Sequence, residues 1–184
     1  AVGSKSNKFG WPGQDLDGVH GLYHLQDLEA MERHSQKLEQ AVIVGGGLIG
    51  IEMAEMFHSR RIPVTFLVRE NSYWNNVLPP EESEMVSREI RENGIDLQLE
   101  TELKEIWGDR EGRVKMVLTS KGEKIKCGFV GLTAGVSPNI DFLQFSGIKL
   151  EKGVLVNDHL QTNFPGIYAI GDCAQLQTPK AGRR

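Results

Sequence analysis

Gly45, Gly47 and Gly50 stand at G-x-G-x-x-G spacing within the run Gly45, Gly46, Gly47, Leu48, Ile49, Gly50. Glycines so placed suit the holding of a pyrophosphate. The first permits a tight turn, the second lets backbone N–H groups approach the anion, and the third lets a helix pack closely on its strand. The anion then lies on the positive end of the helix dipole. A turn that serves packing alone is the competing reading. About 20 residues beyond the first glycine, where a dinucleotide's ribose is read, stand Val68, Arg69 and Glu70. A carboxylate there accepts from a 2′-hydroxyl, whereas an arginine pairs with a 2′-phosphate. With both present, NADH and NADPH stay open, as does the plain reading of two solvated charges at a strand end. Other chemistry is poorly represented. His20, His24, His34, His58 and His159 show no metal-ligand spacing, so solvated or capping roles are expected and no metal site. Cys127 and Cys173 form no C-x-x-C pair and read as small hydrophobes. No Ser/Tyr/Lys or His/Asp set is arranged for direct reduction of a substrate.

The glycine turn needs a strand before it and a helix after it. Ala41 to Val44 is an unalternating apolar run, as in a parallel strand covered on both faces. Ile49, Met53, Met56 and Phe57 then mark one helical face, in a helix ending near Arg61 before Pro63. Val64 to Val68 supplies a second strand. Upstream, residues 1–22 are glycine- and proline-rich and read as a connector, followed by a helix over about Gln26 to Lys37 with Asp27 capping its first turn. Tyr73 and Trp74 are expected on an exposed loop, bordering an adenosine or covering the sheet edge. Pro79 and Pro80 open a third helix whose buried side is Met85, Val86 and Ile90, stopped by Gly94.

Alternating runs at Asp96–Glu100, Leu103–Trp107, Val114–Leu118 and Lys124–Cys127, separated by turn residues, predict an antiparallel meander. Phe129 to Thr133 returns as a buried strand, ending in Ala134 and Gly135, where an open α/β sheet binds its ligand. Ile167 to Ile170 reads as the last strand. The predicted fold is α/β, a Rossmann-like parallel sheet with helices on both faces and an antiparallel β-meander crossover.

Composition narrows the partners. A net charge of −4 without a long basic run argues against nucleic acid and anionic membranes, the basic tail from Lys180 to Arg184 being short. No apolar stretch approaches the ~20 residues of a membrane span and no signal peptide opens the chain, so a cytoplasmic protein is expected.

Three motifs in order resemble the pyridine nucleotide-disulfide oxidoreductase family, especially its NADH oxidase, coenzyme A disulfide reductase, rubredoxin reductase and nitrite reductase large-subunit branch. Gly45 through Ala54 is similar to the family's NAD(P) fingerprint. Thr133 through Asn139 is similar to its A-x-G-x-x-P-N strand end, and Thr162 through Asp172 to its second flavin motif. Ala1 to Ser4 resembles the A-T-G-S segment leaving the FAD domain, with Val2 for Thr. The resemblance implies that Glu52 lies toward the nicotinamide, that Gly135 leaves room beside it, and that Asp172, after Gly171, serves the FAD ribityl chain. Without those cofactors, Glu52 is a solvated helix carboxylate and Asp172 a turn residue. It further implies an NAD(P)H-binding domain at 23–139, with 140–184 returning to an incomplete FAD domain. Such a chain passes hydride from NAD(P)H to FAD in an intact protein, possible as a homodimer, and alone is expected to retain no FAD. No side chain is assigned a catalytic role. The rival is a non-catalytic dinucleotide-binding regulatory module.

Overall fold

A computed structural model describes residues 1–177. The basic tail lies outside the described residues. In chain order the elements are β1 (Ser4–Ser6), β2 (Val19–His20), α1 (Leu25–Ser35), β3 (Ala41–Val44), α2 (Leu48–His58), β4 (Val64–Leu67), α3 (Pro80–Glu92), β5 (Asp96–Gln98), β6 (Leu103–Gly108), β7 (Val114–Thr119), β8 (Lys124–Lys126), β9 (Phe129–Leu132), β10 (Val136–Pro138), β11 (Val154–Val156) and β12 (Ala174–Leu176). One-turn 3-10 helices lie at Asp141–Leu143 and Gly171–Cys173. The chain forms two compact units, one of residues 6–135 and one of residues 1–5 with 136 onward.

The larger unit is built on a parallel sheet of order β2-β9-β3-β4-β5. Every residue of β3, β4 and β9 is buried, which is why these strands read as apolar runs without alternation. Strand parity divides the core in two. Ala41, Ile43, Val64, Phe66 and Phe129 face the helices, meeting Met31 of α1, Met53 and Phe57 of α2 and Ile90 of α3. Val42, Val44, Leu67, Val130 and Leu132 face the other way, onto Ile106, Val117 and Ile125 of the three-stranded antiparallel sheet β6-β7-β8. The expected parallel sheet and meander are therefore present. The second face is covered by the meander and not by helices, because the meander turns its alternating apolar side onto it.

Other expectations need correction. Asp96–Gln98 pairs in parallel with β4 and edges the main sheet, outside the meander. Asp96 accepts there from Thr65 at 3.1 Å and from Gln98 at 3.1 Å, and this polar ladder suits an edge. On α3, Met85 is exposed, while Ser83, Ser87 and Ile90 form the buried stripe. The serines can be buried because each hydroxyl bonds a backbone group: Ser83 donates to Tyr73 O and Ser87 to Ser83 O. α1 begins with Asp27 accepting from the N–H groups of Tyr23 and His24, each at 2.9 Å, and Gly94 ends α3 at φ +82°.

In the smaller unit β1 pairs with β10, and β11 pairs in parallel with β12 around Ile140, Val154, Val156, Ala169 and Cys173. The expected last strand at Ile167–Ile170 does not form. Only Tyr168 bridges, to Gln161, and Ile167, Tyr168 and Ile170 are exposed; the last strand is β12.

Candidate functional site

The carboxyl ends of β3, β4 and β9 open onto a cavity of about 700 Å³ in the larger unit. Such a crevice outside the strand ends is where open α/β sheets hold ligands. Its floor is the turn from β3 into α2. Gly45 adopts φ +122°, and a Cβ there would lie 2.8 Å from the Thr133 carbonyl, so only glycine fits. Gly47 is the helix N-cap and supplies no side-chain cap. The first-turn N–H groups of Leu48 and Ile49 thus have no intrahelical acceptor and carry the positive end of the dipole. A Cβ on Gly47 would meet nothing within 4 Å, which is the open volume an anion can enter. The donor set fits a pyrophosphate.

Gly50 plays another part. Buried on α2, it would place a Cβ 2.3 Å from the Gly45 carbonyl oxygen, so it sets how closely the helix lies on the turn.

Of the other residues singled out in the sequence, Arg69, Glu70, Ala134 and Gly135 line the same cavity. Val68 is fully buried beneath the turn, its side chain 2.8 Å from the position of a Gly46 Cβ. Arg69 Nε donates to Glu70 Oε1 at 2.7 Å, and this hydrogen bond, then the carboxylate's charge, raises the guanidinium pKa. The pair is unevenly placed: the Arg69 side chain is 75% exposed and that of Glu70 32%, with Oε2 reaching to 3.7 Å from the Gly46 Cβ position. Gly135, at φ +86°, accepts from Asn7 N at 3.0 Å, which closes that wall. Glu52 is exposed on α2 and does not line the cavity. Gly171 and Asp172 lie in the smaller unit, where Ser4 Oγ donates to Asp172 at 3.3 Å.

Phe9 and Trp11, packed edge to face at 5.2 Å, also wall the cavity, with Thr101 and Leu103. Nothing in the local pattern of a glycine-rich connector announces the first two. Tyr73, expected to be exposed, is 2% accessible. Its ring packs against Phe66, its hydroxyl donates to Gly47 O at 3.0 Å, and its N–H donates to Ser87 Oγ at 3.0 Å. It ties the glycine turn to α3, while Trp74 beside it lines the cavity.

Burial, then the charges of Glu55 and Glu52, push the Tyr73 phenol up to about 12 from 10. The fold therefore favours the neutral phenol. Its contribution is complete below pH 10 and is lost as pH rises from 10 through 12. Tyr73→Phe should cost about 1 kcal/mol at neutral pH by removing a buried hydrogen bond. The same variant should flatten the alkaline fall in stability, a contribution of order 2 kcal/mol. Urea melts of both proteins across that range check this; parallel alkaline slopes would contradict it.

A family model described as pyridine nucleotide-disulphide oxidoreductase matches residues 1–183. The assimilatory nitrate reductase electron transfer subunit of Bacillus subtilis is 29% identical over 95% of the chain, which covers 22% of that protein. Rhodocoxin reductase of Rhodococcus erythropolis is 31% identical over 99% of the chain and 43% of its own length. Among solved structures, a ferredoxin reductase from Rhodopseudomonas palustris superposes with a TM-score of 0.89 at 27% identity, over 97% of this chain and 44% of that one. The chain thus spans less than half of these relatives. Because the match runs through both compact units, beyond the glycine turn that many nucleotide folds share, the chain belongs to the pyridine nucleotide-disulphide oxidoreductase family, which uses FAD and NAD(P)H.

Proposed function

We propose that the larger unit, residues 6–135, is the NAD(P)H-binding domain of an FAD-dependent oxidoreductase, with residues 1–5 and 136–184 belonging to its flavin side. The connector expected over 1–22 is cut back, because β2 joins the parallel sheet and Phe9 and Trp11 wall the cavity. The observation that carries this reading is the uncapped α2 N-terminus at Gly47, facing a cavity of dinucleotide size. In the reaction the nicotinamide supplies a hydride and the flavin receives it. The chain's own groups position: the N–H groups after Gly47 hold the pyrophosphate, and Glu70 accepts from the ribose. Ala134 and Gly135 leave room for the nicotinamide, and Asp172 accepts a hydroxyl of the FAD ribityl chain, while Glu52, outside the cavity lining, is assigned toward the nicotinamide by the family resemblance alone. Asp172 suits that role as an exposed carboxylate on a one-turn helix, after Gly171 at φ +74°.

Neither cysteine enters this scheme. Cys127 is buried, and burial pushes its thiol up to about 12, which keeps it protonated and inert. Two buried free thiols suit a reducing, cytoplasmic setting. No helix among the described residues is long and apolar enough to cross a membrane. A regulatory module draws no support from relatives named as reductases and an electron transfer subunit.

NADH is the preferred nucleotide on this reading. Glu70 is the more enclosed of the pair and repels a 2′-phosphate, while Arg69, which also borders the cavity, is largely exposed and already donates to Glu70. Fluorescence titration should give NADH at least about tenfold tighter binding than NADPH, a difference near 1.4 kcal/mol. Glu70→Ser should narrow the gap. Tighter NADPH binding that Arg69→Ala removes would reverse the assignment.

A further inference from the structure

On the helix-covered side of β2, away from every residue given a role above, three metal-ligating side chains converge. Asp17, His20 and His34 each bring a donor atom to within 4.8 Å of the other two. They come from separate elements whose backbones are independently fixed. The Asp17 N–H donates to Gly112 O at 3.0 Å, and its carbonyl accepts from Val114 N at 2.8 Å. His20 sits on β2 in register with Gly131 of β9, and His34 on the last turn of α1. The two imidazoles lie 5.4 Å apart between centroids, and His20 stacks on Phe129 at 5.7 Å.

One atom in this cluster is unexplained. His20 Nε2 is buried and has no hydrogen-bond partner, the one such side-chain atom among the described residues. Buried polar atoms are almost always satisfied, so an orphan on the ring of one of three converging ligand-type side chains asks for a partner. We propose that Asp17, His20 and His34 bind a divalent transition-metal ion of the zinc class. Two imidazoles and a carboxylate match that class, whereas magnesium and calcium select all-oxygen sites. A tetrahedral ion about 2.1 Å from each donor spaces them about 3.4 Å apart. His34 Nε2 and Asp17 Oδ1, at 3.3 Å, already stand at that spacing. The exposed Asp17 carboxylate swings to close on His20 and also leaves the ion a path in, its side chain being 59% accessible. A fourth position remains for water. The ion clips the loop at Asp17, the edge strand β2 and helix α1 into one piece, a structural role independent of the nucleotide cavity.

The test uses the untagged chain, stripped with EDTA, freed of chelator and titrated with zinc chloride by calorimetry alongside thermal melts. One Zn²⁺ per chain should bind with a Kd below about 10 µM. Saturation should raise Tm by about 4 °C or more, reversed by EDTA. Asp17→Asn and His20→Asn should each weaken binding by about tenfold or more. Asp17→Asn changes an exposed side chain and keeps its shape, so the fold survives in at least that variant. Absence of saturable binding below about 1 mM, or equal binding in wild type and Asp17→Asn, overturns the site.

Discussion

Gly47→Leu is expected to weaken NADH binding by at least about a hundredfold, nearly 3 kcal/mol, while lowering Tm by no more than about a few degrees and leaving circular dichroism unchanged. The asymmetry follows from the surroundings of one atom. Gly47 has φ −100° and ψ −178°, extended backbone that any residue adopts, and its Cβ position is open. Leucine is thus tolerated by the fold, and its side chain fills the volume where the helix N-terminus meets the pyrophosphate. Loss of the glycine N-cap adds only a modest cost, since Leu is poorer than Gly at that position. Fluorescence or calorimetric titration beside a thermal melt separates the two effects. Undiminished affinity would take this turn out of the binding site, and with it the proposed function.

Three residues along, the opposite outcome is expected: Gly50→Val should destabilise the protein by about 3 kcal/mol or more, with binding lost through unfolding. Helix propensity argues the other way, since replacing an interior helical glycine with alanine gains about 1 kcal/mol. Here the clash wins. The first carbon of any side chain lies 2.3 Å from the Gly45 carbonyl oxygen, 2.9 Å from Thr133 Oγ1 and 3.0 Å from the Phe66 ring. A backbone oxygen cannot step aside as a flexible side chain does, so α2 must lift off the turn. Denaturant melts measure this, and a Gly50→Val protein as stable as wild type would show that α2 does not pack as described.

Much of this site could be read in the sequence because its signal is local. The strand, glycine turn and helix from Ala41 to His58 lie in one continuous stretch, in which Gly45 and Gly50 answer to steric demands from the turn itself and from Thr133 just beyond β9, and Gly47 leaves open volume. What escaped was long-range. Tyr73 sits in a polar stretch that reads as an exposed loop, yet it is buried because Ser83 and Ser87, ten and fourteen residues on, satisfy its backbone. Met85 was expected inside by its hydrophobicity, but the helix turns its serines inward to make those bonds. Ile167–Ile170 has strand composition without a neighbouring strand to complete a ladder. The meander over the second face could not be inferred from alternation, which shows that a strand has an apolar side but not what that side covers. Asp17, His20 and His34 fit no metal spacing for the same reason: their nearness is made by packing, not by sequence.

The position of β9 in the sheet also bears on how the chain is made. It lies between β2 and β3, yet it is the last of the five strands to leave the ribosome. From the emergence of Val44 to that of Leu132, at about 5–20 residues per second, roughly 4–18 s pass. Throughout that time β3 offers nascent-chain neighbours a bare, wholly apolar edge, and β2 has no strand to join. Unpaired edges of this kind seed aggregation. A polypeptide stalled before Phe129 is therefore expected to expose that edge, and one late segment completes a sheet whose other four strands precede it in the chain.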